Sequence, residues 1–95
     1  KFKVQETIPP QVKSFTKEQK FALAILADEL EHGMSGQEIH DNLYRIARET
    51  GLDGKQVFET VYLALLGLKS GPRAGHFLAS LEKDFIVKRF KEASL

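Results

Sequence analysis

Several residue types are absent or scarce in this chain of 95 residues, and each absence removes a class of protein. Cysteine is missing, which excludes disulfides and thiolate metal ligands and permits a reducing compartment. The longest apolar run, 61–68, is far too short to cross a bilayer. No secretory signal pattern opens the chain. The only methionine, Met34, is internal, so we expect this chain to be a piece of a longer polypeptide.

The net charge of +1 conceals an uneven distribution. Residues 1–20 hold five lysines and two acidic residues, residues 21–60 hold three basic and eight acidic residues, and residues 61–95 hold six basic and three acidic residues. Two basic ends therefore flank an acidic middle. Such an asymmetry would let one face of the fold meet a polyanion, although charge spread over solvated helix surfaces explains the same counts.

The apolar periodicity predicts an all-α domain, a single bundle of about five helices preceded by an extended N-terminal arm. Residues 1–13 contain two adjacent prolines and are predicted to form the extended arm or linker, with residues 14–95 as the helical domain. Thr16, Ser35 and Asp53 each precede a Gln or Glu by three residues, which is the capping-box spacing of a helix start. Glycines 33, 51 and 67 are placed to end the three helices.

The last third is predicted to turn at a corner and finish in a basic helix. An apolar turn at 77–81 follows the corner, and Asp84 is the predicted cap of a helix from Phe85 to about Ala93. The helix after Asp53 is apolar on more than one face, so it should be the central helix of the bundle.

No pattern in the sequence indicates catalysis or metal binding. The three histidines, at 32, 40 and 76, lack the spacing of a ligand set on one helix. Without cysteine, a nucleophile would have to be a serine, and no strand-to-helix elbow presents one. We therefore predict no catalytic residue, no metal and no cofactor within this chain.

The stretch LKSGPRAGH, at 68–76, predicts a stiff basic corner. It is not a phosphate-binding P-loop, because Lys and Ser or Thr do not follow the second glycine. Gly71 tolerates positive φ, Pro72 restricts the next residue, and Gly75 permits close backbone approach. Two interpretations of Arg73 stay open: it contacts an anion, or it belongs to an ordinary connection between helices. In the second case its side chain is solvated or pairs with an acidic neighbour.

The order VYLALLGLKSGPRAGHFLASLEKDFIVKRF, at 61–90, resembles the C-terminal end of class I lysyl-tRNA synthetases. In that family a helix ending in a leucine-rich turn leads through a glycine-proline-arginine corner to an apolar turn and a closing basic helix. The positions that match are the corner at 71–75, the apolar residues at 77, 78 and 81, and then Asp84, Phe85 and Arg89.

The resemblance implies an anticodon-binding domain of the alpha-helix cage type, cytoplasmic, which contributes to recognition of tRNA-Lys. The family's catalytic domain, with its HIGH-like and KMSKS-like signatures, is missing here; it would be the intramolecular partner and would hold the ATP and magnesium. No membrane contact is implied. Charge and position, rather than known family contacts, nominate the RNA-binding residues: Arg73, Lys69, Lys88, Arg89, Lys91, Arg45, Arg48 and Tyr44.

A helical docking module without RNA contact is the alternative. It is suggested by the third helix, whose apolar surface exceeds what a small bundle needs to bury.

Overall fold

The computed structural model describes residues 2–95, and these residues contain helices and no strand, which confirms the all-α prediction. No helix in this range is both long enough and apolar enough to span a membrane. The elements are a 3-10 helix at Pro10–Ser14, α1 at Lys17–Glu31, α2 at Gly36–Thr50, α3 at Gly54–Leu66, α4 at Ala74–Ser80 and α5 at Lys83–Ala93.

Capping boxes begin the first three α-helices, as predicted. At α1 the Thr16 side chain accepts from the Gln19 amide at 3.1 Å, and the Gln19 side chain accepts from the Thr16 amide at 2.8 Å. Ser35 and Asp53 make the same reciprocal pair of bonds at α2 and α3. Each box satisfies two groups that a helix start otherwise leaves without a partner, so these short sequence signals locate the helices well.

The fourth and fifth helices differ from the prediction in detail. The apolar turn at 77–81 is part of a helix of two turns, α4. The assignment of Asp84 as the cap of the last helix is wrong, because α5 begins at Lys83 and its N-cap residue is Glu82, whose side chain makes no capping bond. Asp84 lies instead within the first turn, where its negative charge interacts favourably with the positive end of the helix dipole.

The helices pack in two pairs joined by α3. Helix α1 lies along α5, α2 lies along α4, and α3 contacts α1, α2, α5 and the 3-10 helix. Val61, Ala64 and Leu65 of α3 are fully buried, which confirms the expectation of a central helix. The apolar surface that suggested a docking module is therefore used inside the bundle.

The N-terminal segment is held against the C-terminal end of α3. The Gln5 amide donates to the Leu65 carbonyl at 2.8 Å, and the Gln11 side chain donates to the Gly67 carbonyl at 3.0 Å. Residues 10–13 of the predicted arm are not extended: together with Ser14 they form the 3-10 helix, which buries Val12 in the core. These bonds satisfy carbonyls that the end of α3 leaves without intrahelical partners.

Candidate nucleic-acid interface

The corner between α3 and α4 folds back onto α3. The hydroxyl of Tyr62, a buried residue, donates to the carbonyl of Pro72. Burial raises the pKa of Tyr62, which keeps this hydroxyl protonated as a donor. A Cβ added to Gly71 would lie 2.8 Å from atoms of both Tyr62 and Leu66. Gly71 is therefore required by lack of space, and not by the positive φ that the sequence suggested, since its φ is not positive.

Close backbone contact between α2 and α4 positions the residues that follow the corner. A Cβ added to Gly75 would lie 2.3 Å from the carbonyl oxygen of Gly36, so the two helices touch through these glycines. The contact brings Arg73 and His76 beside His40 of α2. Together with Gln37 and the two glycines, these side chains line a small cleft, which we call the corner cleft.

Arg73 is exposed and has no acidic partner in the part of the chain from residue 2 to residue 95. No carboxylate there lies within 4.0 Å of its guanidinium. Of the alternatives that the sequence left open, the intramolecular ion pair is therefore absent, and the guanidinium faces solvent. A solvated arginine at a stiff corner remains available to an anion.

Tyr44 belongs to a cluster of three rings at the junction of α2 and α3. Its ring meets that of His40 edge-on at a centroid distance of 5.3 Å and that of Phe58 at the same distance. His40 stacks on Phe58 at 6.2 Å. A Cβ on Gly54 would lie 2.8 Å from the Tyr44 ring, so the ring rests on the start of α3 while 44% of the residue stays exposed. We call these three residues the aromatic cluster.

Basic residues lie at both ends of the aromatic cluster. Arg48 follows Tyr44 by four residues on α2, so the two side chains share one helix face with His40. It is exposed, and no carboxylate among residues 2–95 lies within 4.0 Å of it. His40 links the aromatic cluster to the corner cleft and Arg73. We call this set of residues the corner face: His40, Tyr44, Arg48, Phe58, Arg73 and His76.

Lys69 lies in the loop that leads to the corner, four residues before Arg73. Its side chain is exposed and forms no ion pair with the described residues. Lys69 is therefore a second cation without an ion pair in the described part of the chain, close in sequence to Arg73 of the corner face.

Arg45, by contrast, is occupied by acidic neighbours. Its guanidinium pairs with Glu49 of the same helix at 2.8 Å and with Glu29 of α1. The hydrogen bond to Glu49 is the largest cause that raises the pKa of Arg45; burial opposes it, and the bond to Glu29 adds to the rise. The pair with Glu29 joins α1 to α2, so this side chain serves the packing of the two helices.

Arg89 lies in the interior, with 3% of its surface exposed. Its guanidinium donates to the Ala64 carbonyl at 3.1 Å and to the Gln5 carbonyl at 2.7 Å, and it lies 4.9 Å from the centre of the Phe85 ring. Burial lowers the pKa of Arg89. We assign this side chain to joining the N-terminal segment, α3 and α5, and leave it out of the corner face.

Lys88 and Lys91 lie on α5, whose main neighbours are α1 and α3. Lys91 pairs with Glu31 at 3.2 Å. Both lysines line an open hollow of about 550 Å³ in which three lysines face three carboxylates, so its charges balance. The hollow therefore offers a polyanion less than the corner face does. Its lining residues are Glu31, Lys83, Asp84, Val87, Lys88, Lys91, Glu92 and Leu95.

The sequence reasoning nominated Tyr44, Arg48 and Arg73 but missed the residues that connect them. His40 and Arg48 stand four residues either side of Tyr44, a spacing that could have placed His40 on the same face. Phe58 carries no such signal, because it comes from another helix. No group of three or more histidine, aspartate or glutamate side chains among residues 2–95 is arranged to hold a metal ion.

Comparison with known proteins adds a family and a set of relatives. A family model described as an anticodon binding domain matches residues 2–94. A lysine–tRNA ligase of Methanosarcina barkeri is 38% identical over 99% of this chain and 21% of its own length. Those of Archaeoglobus fulgidus and Methanosphaera stadtmanae are 33% and 36% identical over 98% and 96% of this chain, and 18% and 17% of their own lengths. The chain thus spans about a fifth of these relatives.

Proposed function

Because this chain belongs to the family of anticodon-binding domains, we propose that it binds the anticodon arm of a tRNA through the corner face. The lysine–tRNA ligase relatives support tRNA-Lys as that tRNA. On this proposal the chain acts as the C-terminal part of a cytoplasmic lysine–tRNA ligase. Its intramolecular partner is a catalytic domain that uses ATP and magnesium, and the chain itself contributes recognition.

The observation that carries the proposal is the aromatic cluster, whose Tyr44 is exposed, with arginines at both ends that form no ion pair within residues 2–95. Arg48 and Arg73 can neutralise phosphates, while the Tyr44 ring offers a face on which an unpaired base can stack. An anticodon presents its bases unpaired in a loop, which is the form of RNA whose sequence proteins read. Stacking holds such bases in place, and polar groups at the edges of the rings can then discriminate among them.

A binding experiment tests the proposal directly. The affinity of the chain is measured for the anticodon stem-loop of tRNA-Lys and for a stem-loop with another anticodon, each across a series of salt concentrations. We expect tighter binding of the lysine anticodon at every salt concentration. Equal affinities that fall together as salt rises would reduce the interaction to nonspecific phosphate contact and contradict the proposal.

Two exposed aromatic residues provide a matched pair of variants. Tyr44→Ala removes the stacking ring, and its expected cost is about 1–3 kcal/mol of binding free energy. Phe21→Ala truncates an aromatic residue that is 57% exposed on α1, outside the corner face, and should leave the affinity unchanged. Equal losses of affinity in Tyr44→Ala and Phe21→Ala would indicate that the RNA binds outside the corner face. Thermal unfolding of both variants checks that neither change acts through stability.

A further inference from the structure

The corner cleft brings one guanidinium and two imidazole rings, all able to donate hydrogen bonds, from two helices to one opening. Arg73 and His76 come from the start of α4, and His40 from α2, and the contact between Gly36 and Gly75 holds them together. None of the six lining residues is acidic. Asp41, next to His40 along α2, accepts a hydrogen bond from the Gln37 side chain at 3.0 Å. The cleft itself is narrow, with a volume of about 10 Å³, so an anion with several acceptor oxygens fits only at its mouth, against the exposed Arg73 and His76.

A second, independent feature indicates which anion. His40 lines the corner cleft and also stacks on Phe58 within the aromatic cluster, so the anion-binding groups and the exposed ring of Tyr44 are contiguous. A nucleotide joins a phosphate to a planar base, and the two features match these two parts. No aromatic residue among those the structure describes lines the balanced hollow on α5, and Arg45 is occupied by its ion pairs.

Resting on the proposed function, we propose that the mouth of the corner cleft holds one phosphodiester group of the single-stranded anticodon loop. Arg73 and His76 donate to its oxygens, and the base of an adjacent nucleotide stacks on Tyr44. The cleft positions the strand and carries no base preference of its own, because phosphate contacts hold a nucleic acid in register without reading its sequence.

The salt dependence of binding tests the phosphate contact. Arg73→Gln should lower the affinity for the stem-loops of both anticodons by the same factor, and should reduce the slope of log K against log salt by about 0.7, the value for one phosphate of a single strand. Lys83→Gln makes the same charge change in the α5 hollow, at a residue not nominated for RNA contact, and should leave the slope as it is. Arg73 is exposed, so its replacement is expected to leave the melting temperature unchanged.

A modified RNA locates the contact. Stem-loops carrying one uncharged methylphosphonate at each loop position in turn are bound to the original chain and to Arg73→Gln. We expect one position at which the modification weakens binding to the original chain but has no further effect on the variant, as coupled partners in a double-mutant cycle show.

The outcomes separate this inference from the proposed function. An unchanged slope in Arg73→Gln, with Tyr44→Ala still weakening the complex, would overturn the phosphate seat and leave anticodon binding standing. A changed preference between anticodons in Arg73→Gln would also overturn it, because the arginine would then contact a base. Absence of binding by the original chain to either stem-loop would overturn both.

Discussion

Replacement of Gly75 by alanine tests the helix contact on which the corner face depends. In an unobstructed helix this change stabilises a protein by about 1 kcal/mol, since alanine has the higher helix propensity. Here the added Cβ would lie 2.3 Å from the Gly36 oxygen, so α2 and α4 must separate by about 1 Å to reach ordinary contact. The obstructing atom belongs to the backbone and cannot rotate away.

We therefore take the overpacking cost at about 3 kcal/mol, which leaves a net loss of about 2 kcal/mol after the gain in propensity. In a domain of this size such a loss lowers the melting temperature by about 8–16 °C. Urea unfolding followed by circular dichroism measures the loss of free energy of unfolding. Gly36→Ala provides a graded comparison, because its Cβ would lie 3.3 Å from the Gly75 oxygen, needs a much smaller shift of the same helix contact and should therefore lose less stability than Gly75→Ala. If Gly75→Ala is as stable as the original chain or more stable, the helices are not in backbone contact and the corner cleft is built differently.

Two further predictions concern the hydrogen bonds that hold the corner and the N-terminal segment. Arg89→Leu leaves the carbonyls of Ala64 and Gln5 without their charged donor, so the free energy of unfolding, measured with urea, should fall by at least about 1.5–3 kcal/mol. Arg89→Lys keeps the charge but cannot donate to both carbonyls, so its stability should lie between those of Arg89→Leu and the original chain. An Arg89→Leu variant as stable as the original chain would contradict the assignment of Arg89 to the interior. Tyr62→Phe removes the donor to Pro72 and should cost about 1 kcal/mol at neutral pH. Because burial raises the pKa of Tyr62, the stability that this hydroxyl contributes is complete below the ordinary tyrosine pKa of about 10 and is lost as pH rises through its pKa in the folded protein. The stability of Tyr62→Phe should therefore fall less steeply at alkaline pH than that of the original chain. Parallel alkaline profiles of the two proteins would refute this.

The sequence predicted the features of the fold that depend on neighbouring residues. The capping boxes at Thr16, Ser35 and Asp53 locate three helix starts, because both partners lie within four residues. Gly75 was correctly read as a point of close backbone approach. The start of α5 was misplaced, because Glu82 makes no capping bond and so gave no signal to read.

The features that depend on which helices become neighbours could not be predicted in the same way. Arg89 sits in a run of basic residues that suggested a solvated surface, yet the N-terminal segment, 84 residues away along the chain, covers it and accepts its hydrogen bond. Phe58 joins Tyr44 only because α2 packs on α3. The assignment of individual residues to RNA contact remains a prediction for the same reason.

The central claim is that RNA binds at the corner face, and chemical-shift mapping tests it most directly. The isotopically labelled chain is titrated with the anticodon stem-loop of tRNA-Lys, and amide and ring resonances are followed. We predict that the largest changes fall on His40, Tyr44, Phe58 and Arg73, with little change at Lys88 and Lys91. Changes centred on the α5 hollow, with the corner face unmoved, would contradict it.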